Sequence, residues 1–160
     1  MSALIVRSHI TAGVEMARKH RLPRAVLDAI PEHHGTMVMA FFFHKALETD
    51  PTARREDYSY PGPRPRSKET AILMLADGVE GASRALAEPT PSRIRGLVQR
   101  IIEERVRDGQ LDECNLTISE LARIRESFIP VLTAIFHVRA PYPSAPKPAA
   151  KREFDARRDA

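Results

Sequence analysis

The sequence predicts an all-α protein. Apolar residues recur at three- and four-residue spacing in one segment after another, as one buried face of a helix requires. Helix-capping signatures stand before two of those segments, at Ser67 and at Thr117 with Glu120. No stretch alternates with the period of two that a half-buried strand needs, and no internal repeat occurs.

The elements follow in chain order. Ile10, Val14 and Ala17, with Met16 beside them, mark a first helix after Ser8. Leu22-Pro23 ends it, and Pro23 opens a second helix through Val26, Leu27 and Ile30 to His33-His34-Gly35, with Pro31 distorting its last turn. A third helix is expected from Met37 to about Glu48, its Phe41, Phe42 and Phe43 forming ordinary core. From Asp50 to Ser67 the chain turns to Pro, Arg, Tyr and Gly, which reads as a long loop. Ser67 then caps a helix through Ile72, Leu75, Val79 and Leu86, closed by Pro89 and Pro91. Ile94, Leu97, Val98, Ile101, Ile102 and Val106 define a fifth helix that stops near Asp108-Gly109. Leu121, Ile124, Phe128, Leu132 and Ile135 continue a sixth through a kink at Pro130. One domain over residues 1–140 and a disordered Pro, Ala, Lys and Arg-rich tail over 141–160 are expected.

Composition excludes more than it assigns. The 160 residues carry 25 Lys and Arg against 21 Asp and Glu, a formal charge of +4 with the two signs interleaved. That pattern gives no basic face, so nucleic-acid binding is not expected. A single Cys114 rules out an internal disulfide framework and a multi-cysteine zinc site. No apolar run approaches the roughly 20 residues that span a bilayer, and no signal peptide is recognisable. The chain as written is expected to be soluble and cytoplasmic.

The residues with chemical potential are few. His33 and His34 sit at a helix end beside Gly35, and Asp77 interrupts an apolar stretch between Ala76 and Gly78. A carboxylate among Leu73, Leu75 and Val79 risks partial burial, and a buried carboxylate is tolerated when it is paired, hydrogen-bonded or bound to a metal. Taken by residue type alone, adjacent histidines are more often a solvated cap than a metal site, and Asp77 could instead pair with Arg84 or lie at a solvated edge. Arg64, Arg66 and Lys68 flank the start of the helix that carries Asp77, a place suited to phosphate. Exposed charge on a Pro-rich loop is the plain alternative. Tyr58 and Tyr60 could stack on a base or cover a core edge, His44 suits packing, and His20 and His137 suit helix ends.

Longer motifs narrow this. Ser8-His9, Gly13-Val-Glu-Met-Ala-Arg-Lys-His20, Glu32-His-His-Gly-Thr36, Tyr60-Pro-Gly-Pro-Arg-Pro-Arg-Ser-Lys-Glu69, Leu75-Ala-Asp77 and Asp108-Gly-Gln-Leu-Asp-Glu-Cys114 together resemble one family. It is the intracellular HD domain of the seven-transmembrane HD phosphodiesterases, the PgpH type that cleaves cyclic di-AMP. The resemblance covers almost everything from His9 to Tyr142 and implies a helical HD-domain bundle, here lacking its N-terminal helices. It implies a divalent-metal centre of one or two ions, manganese or iron, with water activated for attack on a bridging phosphorus. Carried over residue by residue, His9, His33 and His34 hold one ion, and Asp77 belongs to the neighbouring one. Arg66 and Lys68 are the candidate substrate contacts, and the expected partner is a cyclic dinucleotide, cyclic di-AMP, hydrolysed to linear pApA.

The sequence departs from the family pattern in one respect. No His-Asp dipeptide occurs in it, and only eight residues precede His9. The second metal site is therefore expected to be incomplete and catalysis impaired, whether the chain is the product of a truncated gene or a fragment beginning at an internal methionine. Membrane attachment would come only through an N-terminal region this sequence lacks, at the cytoplasmic face. Exposed apolar surface near Ile10 and Val14 is expected to favour self-association. A non-catalytic nucleotide- or metal-binding module is the alternative.

Overall fold

The computed structural model describes residues 3–136, and six α-helices account for most of them. They are α1 (Ala3–Lys19), α2 (Arg24–Glu32), α3 (Ala40–Thr49), α4 (Lys68–Ser83), α5 (Pro91–Arg107) and α6 (Ile118–Phe136). Arg55–Tyr58 forms a 3-10 turn inside the long loop, and among the described residues the extended pairing is one isolated antiparallel bridge, Val38 with Ser59. The expected tail at 141–160 and His137 lie outside the described residues.

The core is built where α4, α5 and α6 meet. Ala71, Met74, Leu75 and Val79 of α4 face Ile94, Val98 and Ile101 of α5, with Ile129 and Leu132 of α6 closing the layer. The spacing of three and four residues on each helix makes one continuous apolar stripe, and burying it supplies the main drive to fold. Both capping signatures form. Ser67 Oγ accepts from the backbone N–H of Thr70, and Glu120 accepts from the backbone N–H of Thr117 at 2.9 Å while Thr117 Oγ1 accepts from that of Glu120 at 3.2 Å. Pro91 opens α5 behind Thr90, whose hydroxyl accepts from the N–H of Arg93. No helix among the described residues is long and apolar enough to cross a membrane.

Several expectations are corrected. Helix α1 begins at Ala3, ahead of Ser8; α3 begins at Ala40 because Met37–Met39 is extended and Met39 N–H bonds Tyr58 C=O at 2.8 Å; and α4 ends at Ser83 rather than near Leu86. The three phenylalanines are not core. Phe41 is 72% exposed, and no α3 residue is fully buried, because this helix packs on the 3-10 turn instead of on the main core. On α1 the face bearing Ile10 is covered, with Ile10 at 4%; the exposed apolar residues there are Leu4, Ile5 and Met16.

Candidate metal centre

Three imidazoles converge from two helices. One ring nitrogen from each of His9, His33 and His34 can be chosen so that all three lie within 4.8 Å of one another. His9 comes from α1, while His33 caps the C-terminus of α2 with His34 directly after it. The chain can turn there because Gly35 adopts φ +52°, the left-handed conformation that glycine enters without a Cβ penalty.

Hydrogen bonds within each helix set the ring states. His33 Nδ1 lies 2.6 Å from the carbonyl of Ile30, and His9 Nδ1 makes the corresponding bond to the carbonyl of Val6. A carbonyl only accepts, so Nδ1 carries the proton in both rings, and Nε2 keeps its lone pair for a ligand. His34 differs: its Nδ1 is buried with no hydrogen-bond partner. Burial, followed by the like charges of His33, His9 and Arg105, lowers its pKa from 6.5 to about 4. His34 is thus neutral near pH 7, and its 3.7 Å approach to Asp77 is not an ion pair. An orphaned buried nitrogen beside two rings of fixed tautomer is the donor set a divalent ion takes.

Two buried side chains, one at the end of α2 and one distant in sequence, hold this turn. Glu32, only 5% exposed and next in sequence to His33, accepts from Thr70 Oγ1 at 2.6 Å and from the Arg66 backbone N–H at 3.0 Å. It ties the end of α2 to the start of α4. Gln110, 1% exposed, accepts from the Thr36 backbone N–H at 2.9 Å and donates to Thr36 Oγ1 at 3.0 Å and to Asp108 Oδ2 at 2.8 Å. Tyr60 stacks on the remaining face of His34, with ring centroids 4.2 Å apart and planes 20° apart. Its hydroxyl pKa is raised by burial and by the charge of Asp77.

A cavity of about 690 Å³ opens beside the imidazoles, lined among others by His34, Tyr60, Asp77 and Arg105, with Met39, Phe41 and Phe42 along one wall. Asp77 reaches it from α4 with its side chain 49% exposed, half covered at the edge of the apolar stripe. The packed stripe of α4 runs through Met74, Leu75 and Val79, and Asp77 projects to the side of it. Arg84 bonds Glu80 one turn before it, at 2.7 Å, and not Asp77.

The candidate substrate residues are placed elsewhere. Arg66 Nε bonds Glu113 at 3.3 Å and Lys68 Nζ bonds Glu120 at 2.5 Å, and neither lines the cavity that holds His34 and Asp77. Residue reading overlooked Glu32, Gln110 and Arg105. For Arg105 a signal existed: it continues the buried α5 stripe of Ile94, Leu97, Val98, Ile101 and Ile102 at the next four-residue step, where an apolar side chain belongs. Gln110 bonds a residue 74 positions away, and no local pattern announces such a contact.

The geometry agrees with what the chain is similar to. Cyclic-di-AMP phosphodiesterase PgpH of Bacillus subtilis (strain 168) is 43% identical over 147 residues, 92% of this chain and 21% of that protein. The protein of the same name from Listeria monocytogenes serotype 1/2a (strain 10403S) is 40% identical over 139 residues, 87% of this chain and 19% of its own length. The chain therefore spans about a fifth of these relatives. The crystal structure of the L. monocytogenes phosphodiesterase PgpH HD domain in complex with cyclic-di-AMP superposes with a TM-score of 0.82 at 39% identity, covering 88% of this chain and 66% of that one. The HD domain family pattern runs over residues 3–82, through the helices that bring in His9, His33, His34 and Asp77. By family pattern and by fold, the chain belongs to the HD-domain family.

Proposed function

We propose that this chain supplies the metal-binding part of a cytoplasmic phosphodiesterase that hydrolyses a cyclic dinucleotide, cyclic di-AMP, to its linear form. The observation that carries the reading is the cluster of three imidazoles, with one ring nitrogen from each within 4.8 Å of the others, whose His34 lines, with Asp77, a cavity of about 690 Å³. His9, His33 and His34 would hold one divalent ion, manganese or iron, and Asp77 would serve a second beside it. Such an ion supplies Lewis acidity and lowers the pKa of water, which phosphodiester hydrolysis at neutral pH needs.

The chain's own groups do the rest. The backbone carbonyls of Val6 and Ile30 hold His9 and His33 in the tautomer that presents Nε2, so these ligands need no reorganisation before they bind. Tyr60 restrains the His34 ring by stacking. Met39, Phe41 and Phe42 give the cavity apolar, partly aromatic lining, where a nucleobase can stack. Hydrolysis adds water across one P–O bond and leaves a 5′-phosphate and a free 3′-hydroxyl.

The sequence contains no His-Asp dipeptide, so the 160 residues alone are expected to bind an ion and the nucleotide while turning over weakly. The non-catalytic alternative rests on that same feature. Incubating the chain with cyclic di-AMP and manganese or iron, with metal content measured in parallel, separates the outcomes. Linear product abolished by His33→Ala supports hydrolysis; saturable binding with no product supports the binding module. A chain that takes up no manganese or iron, and whose metal content His33→Ala leaves unchanged, would overturn the metal reading.

A further inference from the structure

The cavity has a cationic side that the metal ligands leave unused. Arg105 reaches it from α5 with its Nε buried and without a hydrogen-bond partner. Two other arginines line the same cavity: Arg55 is engaged, bonding Asp108 at 2.6 Å, and Arg107 is exposed, its charge left in water. Arg105 has no such ion pair among the described residues; Glu104, Asp108 and Asp77 act on its charge from a distance without bonding it. A guanidinium drawn out of water and left unpaired is costly, and the cost is removed when an anion arrives.

The guanidinium lies against α4 beside Gly78, which follows Asp77 directly: a Cβ built there would stand 3.4 Å from Arg105 Nη2, at contact distance. That places Arg105 at the turn that carries Asp77, within the same cavity as His34. Arginine's planar fork matches the oxygens of a phosphodiester better than a lysine point charge does.

We propose that Arg105 is the phosphate-binding residue of this cavity, donating to a non-bridging phosphoryl oxygen of the cyclic dinucleotide held at the His9, His33 and His34 cluster. The assignment rests on the function proposed above and adds a residue to it. Calorimetry of the manganese-loaded chain with cyclic di-AMP tests it through Arg105→Gln and Arg105→Lys. Arg105→Gln is expected to weaken nucleotide binding by about ten- to hundredfold, the worth of a hydrogen bond to a charged group. Manganese content and melting temperature are expected to hold, and Arg105→Lys to recover part of the affinity. Unaltered nucleotide affinity in Arg105→Gln overturns the assignment while leaving the function standing. A wild-type chain that binds manganese but no cyclic di-AMP removes the substrate reading, and the assignment with it. If Arg105→Gln folds poorly, phenylglyoxal labelling of the wild-type chain decides: protection of Arg105 by cyclic di-AMP supports the role, and equal labelling with and without nucleotide refutes it.

Discussion

Replacing Gly35 by alanine strikes the turn that presents the histidine pair, and its effect can be worked out from the surroundings. At φ +52° a side chain costs about 1–2 kcal/mol in backbone energy. The new Cβ would also stand 2.4 Å from Gln110 Oε1 and 2.8 Å from Met74 Cε, both on buried residues. Met74 has little room to retreat inside the core. Moving Gln110 breaks its 2.9 Å bond from the Thr36 N–H and strands a buried acceptor, a further cost of about 1–3 kcal/mol. Gly35→Ala is thus expected to destabilise the metal-free chain by about 3–4 kcal/mol and to weaken manganese binding through His33 and His34. Gly96→Ala is the control: it lies inside α5 with nothing within 4 Å of the added carbon, and should stabilise by about 0.5–1 kcal/mol through helix propensity. Urea unfolding in the presence of a chelator reads both, and calorimetry with manganese reads the site. A Gly35→Ala protein within about 1 kcal/mol of wild type, with unchanged manganese affinity, would refute this account of the turn.

Two further perturbations address the same region. Glu32→Ala removes the buried acceptor shared by Thr70 Oγ1 and the Arg66 N–H, and denaturation should show a loss of about 3 kcal/mol, with weaker manganese binding because Glu32 adjoins His33. The pH dependence follows from His34, whose pKa in the fold is lowered from 6.5 to about 4. The unfolded chain binds the proton more readily, so this contribution is fully present above pH 6.5 and is lost as pH falls to about 4. At 1.36 kcal/mol per pH unit it amounts to about 3 kcal/mol for a side chain this well covered. Metal-free unfolding between those limits should show that slope, and His34→Gln should flatten it; an identical slope in the variant would assign the acid sensitivity to other groups.

What was legible in the sequence depended on the range of the interaction. The Ser67 and Thr117 caps join residues three apart, so residue type alone located the starts of α4 and α6. Gly35 was readable for the same reason, as was the apolar stripe of each core helix. The convergence of His9 with His33 and His34 came only from the motif resemblance, because α1 and α2 must fold back on one another before their rings meet. Phe41 misled because hydrophobicity reports a preference for burial and not the presence of a neighbour; among the described residues α3 packs chiefly on the 3-10 turn. Arg66 and Lys68 stand where phosphate could bind, and no local pattern announced their ion pairs with Glu113 and Glu120, some fifty residues further along the chain.

The attachment of α1 has a consequence for how the domain breathes. This helix packs chiefly on α2, and α2 in turn meets the core through α4, so His9 belongs to an element joined to the interior chiefly through a second helix. Elements of that kind open locally at a lower free energy than the global transition. An ion shared by His9, His33 and His34 would tie α1 to the end of α2 and raise its opening free energy with metal concentration, less the affinity that His33 and His34 keep once His9 has left. Amide exchange along α1 would then report occupancy of the site from a helix that buries almost none of the core.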